Sequence, residues 1–399
     1  MSKNTGPLSG IRVLEMGQLI AGPFSAKTLG DLGAEVIKIE PPEKGDPLRQ
    51  WRLLHEGTSV WWEVQSRNKQ SVAIDLRQPE GQQLAYRLAV EADILIENFR
   101  PGTLESWGMS YENLSQDNPG LIMLRISGYG QTGPYRDLPG FGAIGEAMGG
   151  LRHLTGQPGE VPVRVGLSIG DTLAALQGSI GVLAALFERQ RNNGQGQVID
   201  MALYEAVFNC TESLLPEYSA FGAIRGPAGS ALPGITPSNA YPCLDGYVLI
   251  AGNGDSIYQR LMRAIGREDL AYDPDLANNK GRSLQAERID QAISAWTQLY
   301  PIEKVLQTLA EASVPAGKIY TIKDISDDPH YRAREMIETV TTANGLNIEV
   351  PGVIPKLSRT PGSIRHRAPL LGEHTKTVLQ QLGLDDNTIH ALEEKGIIQ

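Results

Sequence analysis

Short β-branched and aliphatic runs alternate with amphipathic stretches over the first half of the chain. IRVLEM (11–16), EVIKIE (35–40), SVAID (71–75), DILIEN (93–98) and LIMLRISG (121–128) have the apolar density of strands. AGPFSAKTLGDLGA (21–34) and PEGQQLAYRLAVEA (79–92) carry helical periodicity between them. This βαβ rhythm predicts a parallel sheet with ligands at the carboxyl ends of its strands. DTLAALQGSIGVLAALFERQ (171–190) predicts a long helix, apolar on most sides and therefore buried, with GQGQVIDMAL (194–203) as a further strand.

Between Pro216 and Gly234 the composition shifts to Gly, Pro, Ser and Ala, a connector. NAYPCLDGYVLIAG (239–252) then predicts a hairpin turning at Asp245 and Gly246, and helices follow from Ser256 to Ala312. The Pro-rich run 351–375 predicts extended, irregular chain, and a short helical pair closes the sequence.

At 399 residues, two domains are expected. Hydrophobic residues make up 41% and charged residues 21%, and no apolar run approaches the roughly 20 residues of a membrane span, so no membrane role is expected. A net charge of -10 disfavours nucleic acid as a partner. The polar opening MSKNTGPLSG suggests no targeting peptide, and Cys210 and Cys243 lack pairing or metal-type spacing, which together predict a cytoplasmic protein. Cys210 lies in an apolar helical pattern and reads as core. The six histidines are scattered, so no metal site is expected.

GYGQTG (128–133) has G-x-G-x-x-G spacing after a strand, but Pro134 and the loop-like PYRDLPG make it a glycine turn rather than a dinucleotide site. Arg67, Lys69 and Arg77 cluster around one strand, and Asn98 and Arg100 follow another; they are a solvated face or a grip for phosphates. AGNGDS (251–256) is a tight turn or a set of N–H groups over an acyl centre. Asp171 follows the small-residue run VRVGLSIG and precedes a helix; it is a helix cap or a nucleophile that attacks an activated acyl group.

The ordered segments GIRVLEMGQLIAGPFSAKTLGDLGAEVIKIEPPEKGDPLR, RNKQSVAIDLR, ADILIENFRPG, GYGQTGPY, VRVGLSIGD and GQGQVIDMALYEA resemble the class III CoA-transferases, the carnitine and formyl-CoA transferase group. The resemblance covers nearly the whole chain, including AGNGD and PLLGEHT. It implies Asp171 as the nucleophile that becomes an aspartyl-CoA thioester, with Gly252, Asn253 and Gly254 offering N–H groups to the oxyanion. It implies CoA as substrate, with no permanently bound cofactor, along Gln18, Ile20 and Ala21, along Ile74, Asp75, Leu76 and Arg77, and along Asn98, Phe99 and Arg100. Phe141 is taken with these positions. Pro41 and Ser106 stand where some formyl-CoA transferases carry Arg, leaving Lys44, Arg49 and Arg100 as substitutes for holding the adenosine phosphates.

By the same resemblance the fold is α/β: a Rossmann-like large domain (1–215 and a return segment, 326–399), a linker (216–235) and an inserted smaller α+β domain (236–325), in an interlocked homodimer. The implied reaction moves CoA from an acyl-CoA, nearer to the succinyl-CoA-dependent members, to a carboxylic acid such as itaconate, malate or hydroxymethylglutarate. Arg52, Arg67, Arg152 and Arg164 are candidates for a second substrate carboxylate. The alternatives are an α-methylacyl-CoA racemase, whose catalytic His is replaced here by Phe141, and a non-catalytic CoA-binding protein.

Overall fold

In the computed structural model, which describes residues 6–399, the apolar runs of the first half become six strands: β1 (Arg12–Glu15), β2 (Glu35–Glu40), β3 (Lys69–Ala73), β4 (Ile94–Glu97), β5 (Ile122–Ser127) and β6 (Val198–Ala202). They form one parallel sheet in the order β3-β2-β1-β4-β5-β6, the doubly wound arrangement whose direction of growth reverses between β1 and β4. Continuous apolar runs suit it because both faces are covered. Leu14, Ile37, Val72, Leu95 and Met123 pack on one side against α2 (Pro79–Val90) and the C-terminal residues Val378, Leu379 and Ile389. Their neighbours Val13, Val36, Ile94, Ile122 and Leu124 face α1 (Ala21–Asp31) and α4 (Ile169–Arg191). In the chain α3 (Gly142–Met148) precedes α4, and α5 (Leu203–Phe208) follows β6.

The long helix departs from its expected full burial. Ala174, Ala175, Gly178 and Val182 are buried, with a β-carbon at Gly178 meeting Leu124 at 3.0 Å. Leu176, Ile180, Leu183 and Phe187 form an exposed stripe on the other side. Against the expectation that no run approaches a membrane span, α4 has the length and composition to cross one, although its buried stripe packs it as a core helix of the sheet. Cys210, expected in the core, is exposed just beyond α5.

The chain divides into two compact units: the first comprises the chain up to Arg152, Arg164–Ile224 and His330–Gln399, the second His153–Val163 and Arg225–Pro329. The expected linker is partly helical, since α6 (Leu214–Phe221) occupies its start. His153–Val163 joins the second unit without any compositional signal; Gly229 N–H donates to the Gly156 carbonyl at 2.9 Å and Val163 N–H to that of Thr155. Within the second unit β7 (Ser238–Cys243) and β8 (Gly246–Ala251) form the hairpin, and β9 (Ala316–Lys318) pairs with β8. Tyr258 and Leu261 of α7 (Asp255–Ala264), Ile289 of α8 (Ala286–Thr297) and Leu309 of α9 (Ile302–Glu311) pack against Val248 and Ile250.

Four buried charges sit where β1, β2 and β3 run side by side. Lys38 is 2.7 Å from Glu15 and 2.9 Å from Asp46, while Lys69 reaches the other Glu15 oxygen at 2.7 Å. Each ammonium also donates to a carbonyl, Lys38 to Gly17 and Lys69 to Pro23, both at 2.8 Å. Asp46 accepts the N–H of Leu19 at 3.1 Å, where the backbone turns to φ 64°. The pairs thereby tie β1, β2 and β3 to the loop that leaves β1 at its carboxyl end. Removing one partner strands a buried charge at a cost of about 3–5 kcal/mol. Glu15→Gln is therefore expected to lower the unfolding free energy by an amount of that order in a denaturant titration; an unchanged value contradicts the structural weight given to the pairs.

Candidate active site

The reversal between β1 and β4 opens a crevice at their carboxyl ends, the usual ligand position in such sheets. A cavity of about 220 Å³ occupies it. Gln18, Ile20 and Ala21 line it from the loop after β1, and Asn98, Phe99 and Arg100 from the loop after β4. Gly128 follows β5, Phe141 caps α3, and Asp171 comes from the first turn of α4. The fold thus gathers eight of the expected site residues.

The Asn98 side chain, which lines the cavity, also clamps the loop after β1. Its Oδ1 accepts the Gln18 N–H at 2.8 Å, and its Nδ2 donates to the Gln18 carbonyl at 2.9 Å. Gly17 allows this approach, since a β-carbon there would lie 2.9 Å from Asn98 Oδ1. Phe99 N–H donates to Glu97 at 2.7 Å; burial pushes the Glu97 carboxyl up to about 7 against the opposing Arg125. Arg100 is exposed at the rim.

Asp171 is held by close packing. A β-carbon at Gly142 would fall 2.0 Å from its carboxylate, so only glycine at the start of α3 leaves room for it. Likewise a β-carbon at Gly170 would meet the Gly142 carbonyl at 2.9 Å. Asp171 stands in the first turn of α4, whose N-cap is Ser168, rather than at the cap itself, in contrast to the capping alternative; a hydrogen bond from its own backbone N–H draws its carboxyl down. Burial, reinforced by the nearby Glu146 carboxylate and opposed by Arg164, pushes Asp171 up to about 6. Glu146, on α3, is buried and was not singled out from sequence; an acid in the small, apolar helix GAIGEAM was the available signal.

Other expectations meet a different geometry. Ile74 is completely buried and bridges Ile398, and Asp75 N–H donates to the Ile397 carbonyl at 2.8 Å, so the C-terminal residues cover the end of β3. Leu76 packs against the adjoining core. Arg77 is exposed and lines a second cavity of about 910 Å³ with Lys44 and Trp51, which meets the first at Gln18. Arg49 cannot hold phosphate: it is buried, paired with Glu40 at 2.8 Å and stacked on Trp62. Arg67 is likewise committed to Asp31 at 2.7 Å, while Arg52 lies over the Trp61 ring.

The glycine turn 128–133 opens no helix; Gln131 N–H donates to Asp200 instead. In the second unit, the Gly252 N–H is spent on the Pro237 carbonyl at 2.9 Å, which removes it from an oxyanion role. Arg282 fixes the same turn through the Asn253 carbonyl and Asp255, both at 2.7 Å; Asn253 is exposed and Gly254 precedes α7.

A sheet of this order with an acid in its switch-point crevice presents a ligand site, and comparison with known proteins gives the class. The CoA-transferase family III pattern matches residues 8–375, and the chain belongs to that family. It is 48% identical to the succinyl-CoA--D-citramalate CoA-transferase of Chloroflexus aurantiacus, covering 98% of each chain. It is 43% identical to the succinyl-CoA--L-malate CoA-transferase alpha subunit of Chloroflexus aurantiacus, over 94% of this chain and 89% of that one. A crystal structure of a CAIB/BAIF family protein from Brucella suis superimposes with a TM-score of 0.82 at 34% identity, covering 94% of this chain and 99% of that one. The protein is therefore a CoA-transferase.

A carboxyl raised from 3.8 to about 6 disfavours the folded state once ionised. The penalty is absent below pH 4, where both states are protonated, and is full above pH 6, where it is on the order of 2–3 kcal/mol. Asp171→Asn is expected to be more stable than the parent by that order at pH 8 and by little at pH 4, in urea titrations at the two pH values. Equal stability at pH 8 contradicts the assigned environment.

Proposed function

We propose that the protein transfers CoA from succinyl-CoA to a dicarboxylic acid through Asp171. The observation that carries this reading is the Asp171 carboxylate, half-buried in the switch-point cavity beside the Gln18 and Asn98 loops. An oxygen of ionised Asp171 attacks the thioester carbonyl carbon, the C–S bond breaks, and CoA leaves as thiolate to give a mixed anhydride. The thiolate attacks the aspartyl carbonyl, releasing succinate and leaving an aspartyl-CoA thioester. A carboxylate oxygen of the acceptor then attacks that thioester, expelling CoA thiolate and forming a second anhydride. Thiolate attack on the acceptor carbonyl breaks this anhydride, giving the new acyl-CoA and restoring the Asp171 carboxylate.

Every step exchanges one carboxyl derivative for another, so no external oxidant, reductant or net proton is needed. Burial supports the chemistry, because a carboxylate stripped of part of its water shell loses less solvation on attack. Phe141 at the cavity edge brings no titratable group, which speaks against proton abstraction as in a racemase. The relatives named for citramalate and malate support a diacid acceptor. Pantetheine passing Gln18 would bring the nucleotide end of CoA to Lys44, Trp51 and Arg77 in the adjoining cavity. The exposed stripe Leu176, Ile180, Leu183 and Phe187 supports a homodimer rather than a lone chain.

The test is initial-rate kinetics with succinyl-CoA against D-citramalate, L-malate and mesaconate. Parallel double-reciprocal lines are expected with at least one acceptor, and Asp171→Ala should lose at least about 10⁴-fold in kcat. Intersecting lines, or an active Asp171→Ala, contradict the double displacement. Sedimentation at micromolar concentration is expected to give a dimer, and a folded monomer contradicts that part of the reading.

A further inference from the structure

The ion pairs that hold this fold together are short: Arg67–Asp31 is 2.7 Å and Arg125–Glu97 is 2.8 Å. Glu146 behaves differently. Two guanidinium groups approach it without closing, Arg152 at 3.5 Å and Arg164 at 3.7 Å. Glu146 is 1% exposed, yet its Oε2 accepts no hydrogen bond, and the buried Arg152 Nε donates none. Arg164 reaches only Ser168 Oγ, at 3.4 Å. Both side chains keep an open flank, 30% and 45% exposed.

The position of this cluster is set by a helix. Gly142, which touches the Asp171 carboxylate, and Glu146 are four residues apart on α3, one above the other on one face and about 6 Å apart along the axis. The Glu146 carboxylate that both arginines approach reaches back to accept the N–H of Gly170, beside Asp171, at 3.5 Å, and Arg164 and Glu146 both act on the Asp171 charge. A four-carbon diacid places its carboxyl carbons three bonds apart, about 3.8 Å when trans, so its far carboxylate lies close to the end bonded at Asp171 and pairs naturally with a guanidinium gathered nearby.

We propose that Arg152 and Arg164, gathered around Glu146 beside the Gly170–Asp171 turn, bind the far carboxylate of both the donor and the acceptor diacid and so restrict the enzyme to dicarboxylates. The inference rests on CoA transfer through Asp171. Charge counting supports it. With free Asp171 the two cations are balanced by two carboxylates, whereas acylation of Asp171 leaves one cation in excess. The site thus becomes most attractive to a dianion when the aspartyl-CoA thioester is waiting for its acceptor. One cationic site serves both half-reactions, because succinyl and acceptor groups occupy the same place in turn.

The experiment compares kcat/KM at pH 8 for a diacid pair (succinyl-CoA and L-malate) and a monoacid pair (butyryl-CoA and propionate), in the parent, Arg152→Met, Arg164→Met and Arg164→Lys. The Met variants are expected to reduce the diacid-to-monoacid ratio about 10²-fold, chiefly through a higher KM, with Arg164→Lys recovering part of it. An unchanged ratio, whether both pairs fall together or neither falls, overturns the assignment. If circular dichroism shows the variants unfolded, inhibition of the parent by malonate, succinate, glutarate, adipate and butyrate decides. Strongest inhibition by the four- or five-carbon diacid, with butyrate at least tenfold weaker, is expected; a series indifferent to length or to the second carboxylate overturns the proposal. A parent that moves CoA to no acid instead defeats the transfer reading on which this rests.

Discussion

The loop that leaves β1 is fixed by charges buried beneath it, and the cavity depends on that loop. Glu15 at the end of β1 faces Lys38 on the adjacent β2 and Lys69 on β3, the strand beyond it, and Asp46 returns from beyond β2 to hold Leu19 N–H. These pairs sit in the interior, where an unpartnered charge is expensive, so any alternative register of the three strands is penalised. Burial presses Lys69 down to about 8 despite the Glu15 carboxylate beside it. The same network that orders the sheet therefore places Gln18 and Ile20 at the mouth of the crevice. Asn98 completes the placement from β4, locking both polar backbone groups of Gln18.

Against that rigid wall Asp171, the proposed nucleophile, is installed by exclusion. Glycines at 142 and 170 let α3 and α4 approach closely enough to surround the Asp171 carboxylate, which sits inside the first turn of α4 and not at its N-cap, Ser168. Its proton affinity rises through loss of water and through Glu146, and Arg164 limits the rise. At neutral pH the group is mostly ionised but poorly solvated, the state suited to attack on a thioester. The arrangement destabilises the fold locally and is tolerated because the surrounding sheet is paired and apolar on both faces.

The sheet was legible because its strands are buried on both sides and so appear as unbroken aliphatic runs; Val13 and Leu14, or Ile94 and Leu95, mark opposite faces of one strand. Asp171 was legible as an acid after small residues, although its role came from family resemblance. Partners distant in sequence were not legible. Arg67 looked like a phosphate ligand until Asp31, 36 residues earlier, claimed it. Ile74 and Asp75 ended a strand in the right direction but lie under Ile397 and Ile398 from the far end of the chain. Gly252 carried a suitable N–H, and only the fold shows it bonded to Pro237. Glu146 was passed over because a single acid on a short helix carries no periodic signal, and its meaning depends on what packs around it.

The central claim is covalent: the carboxylate of Asp171 itself carries CoA between donor and acceptor. The most direct measurement is peptide mass spectrometry of the protein mixed with succinyl-CoA and quenched in acid within the first turnover. The account predicts a CoA-sized increment, less one water, on the peptide containing Asp171, discharged when a dicarboxylic acceptor is added before the quench. An unmodified Asp171 peptide under conditions where CoA is being transferred would contradict it.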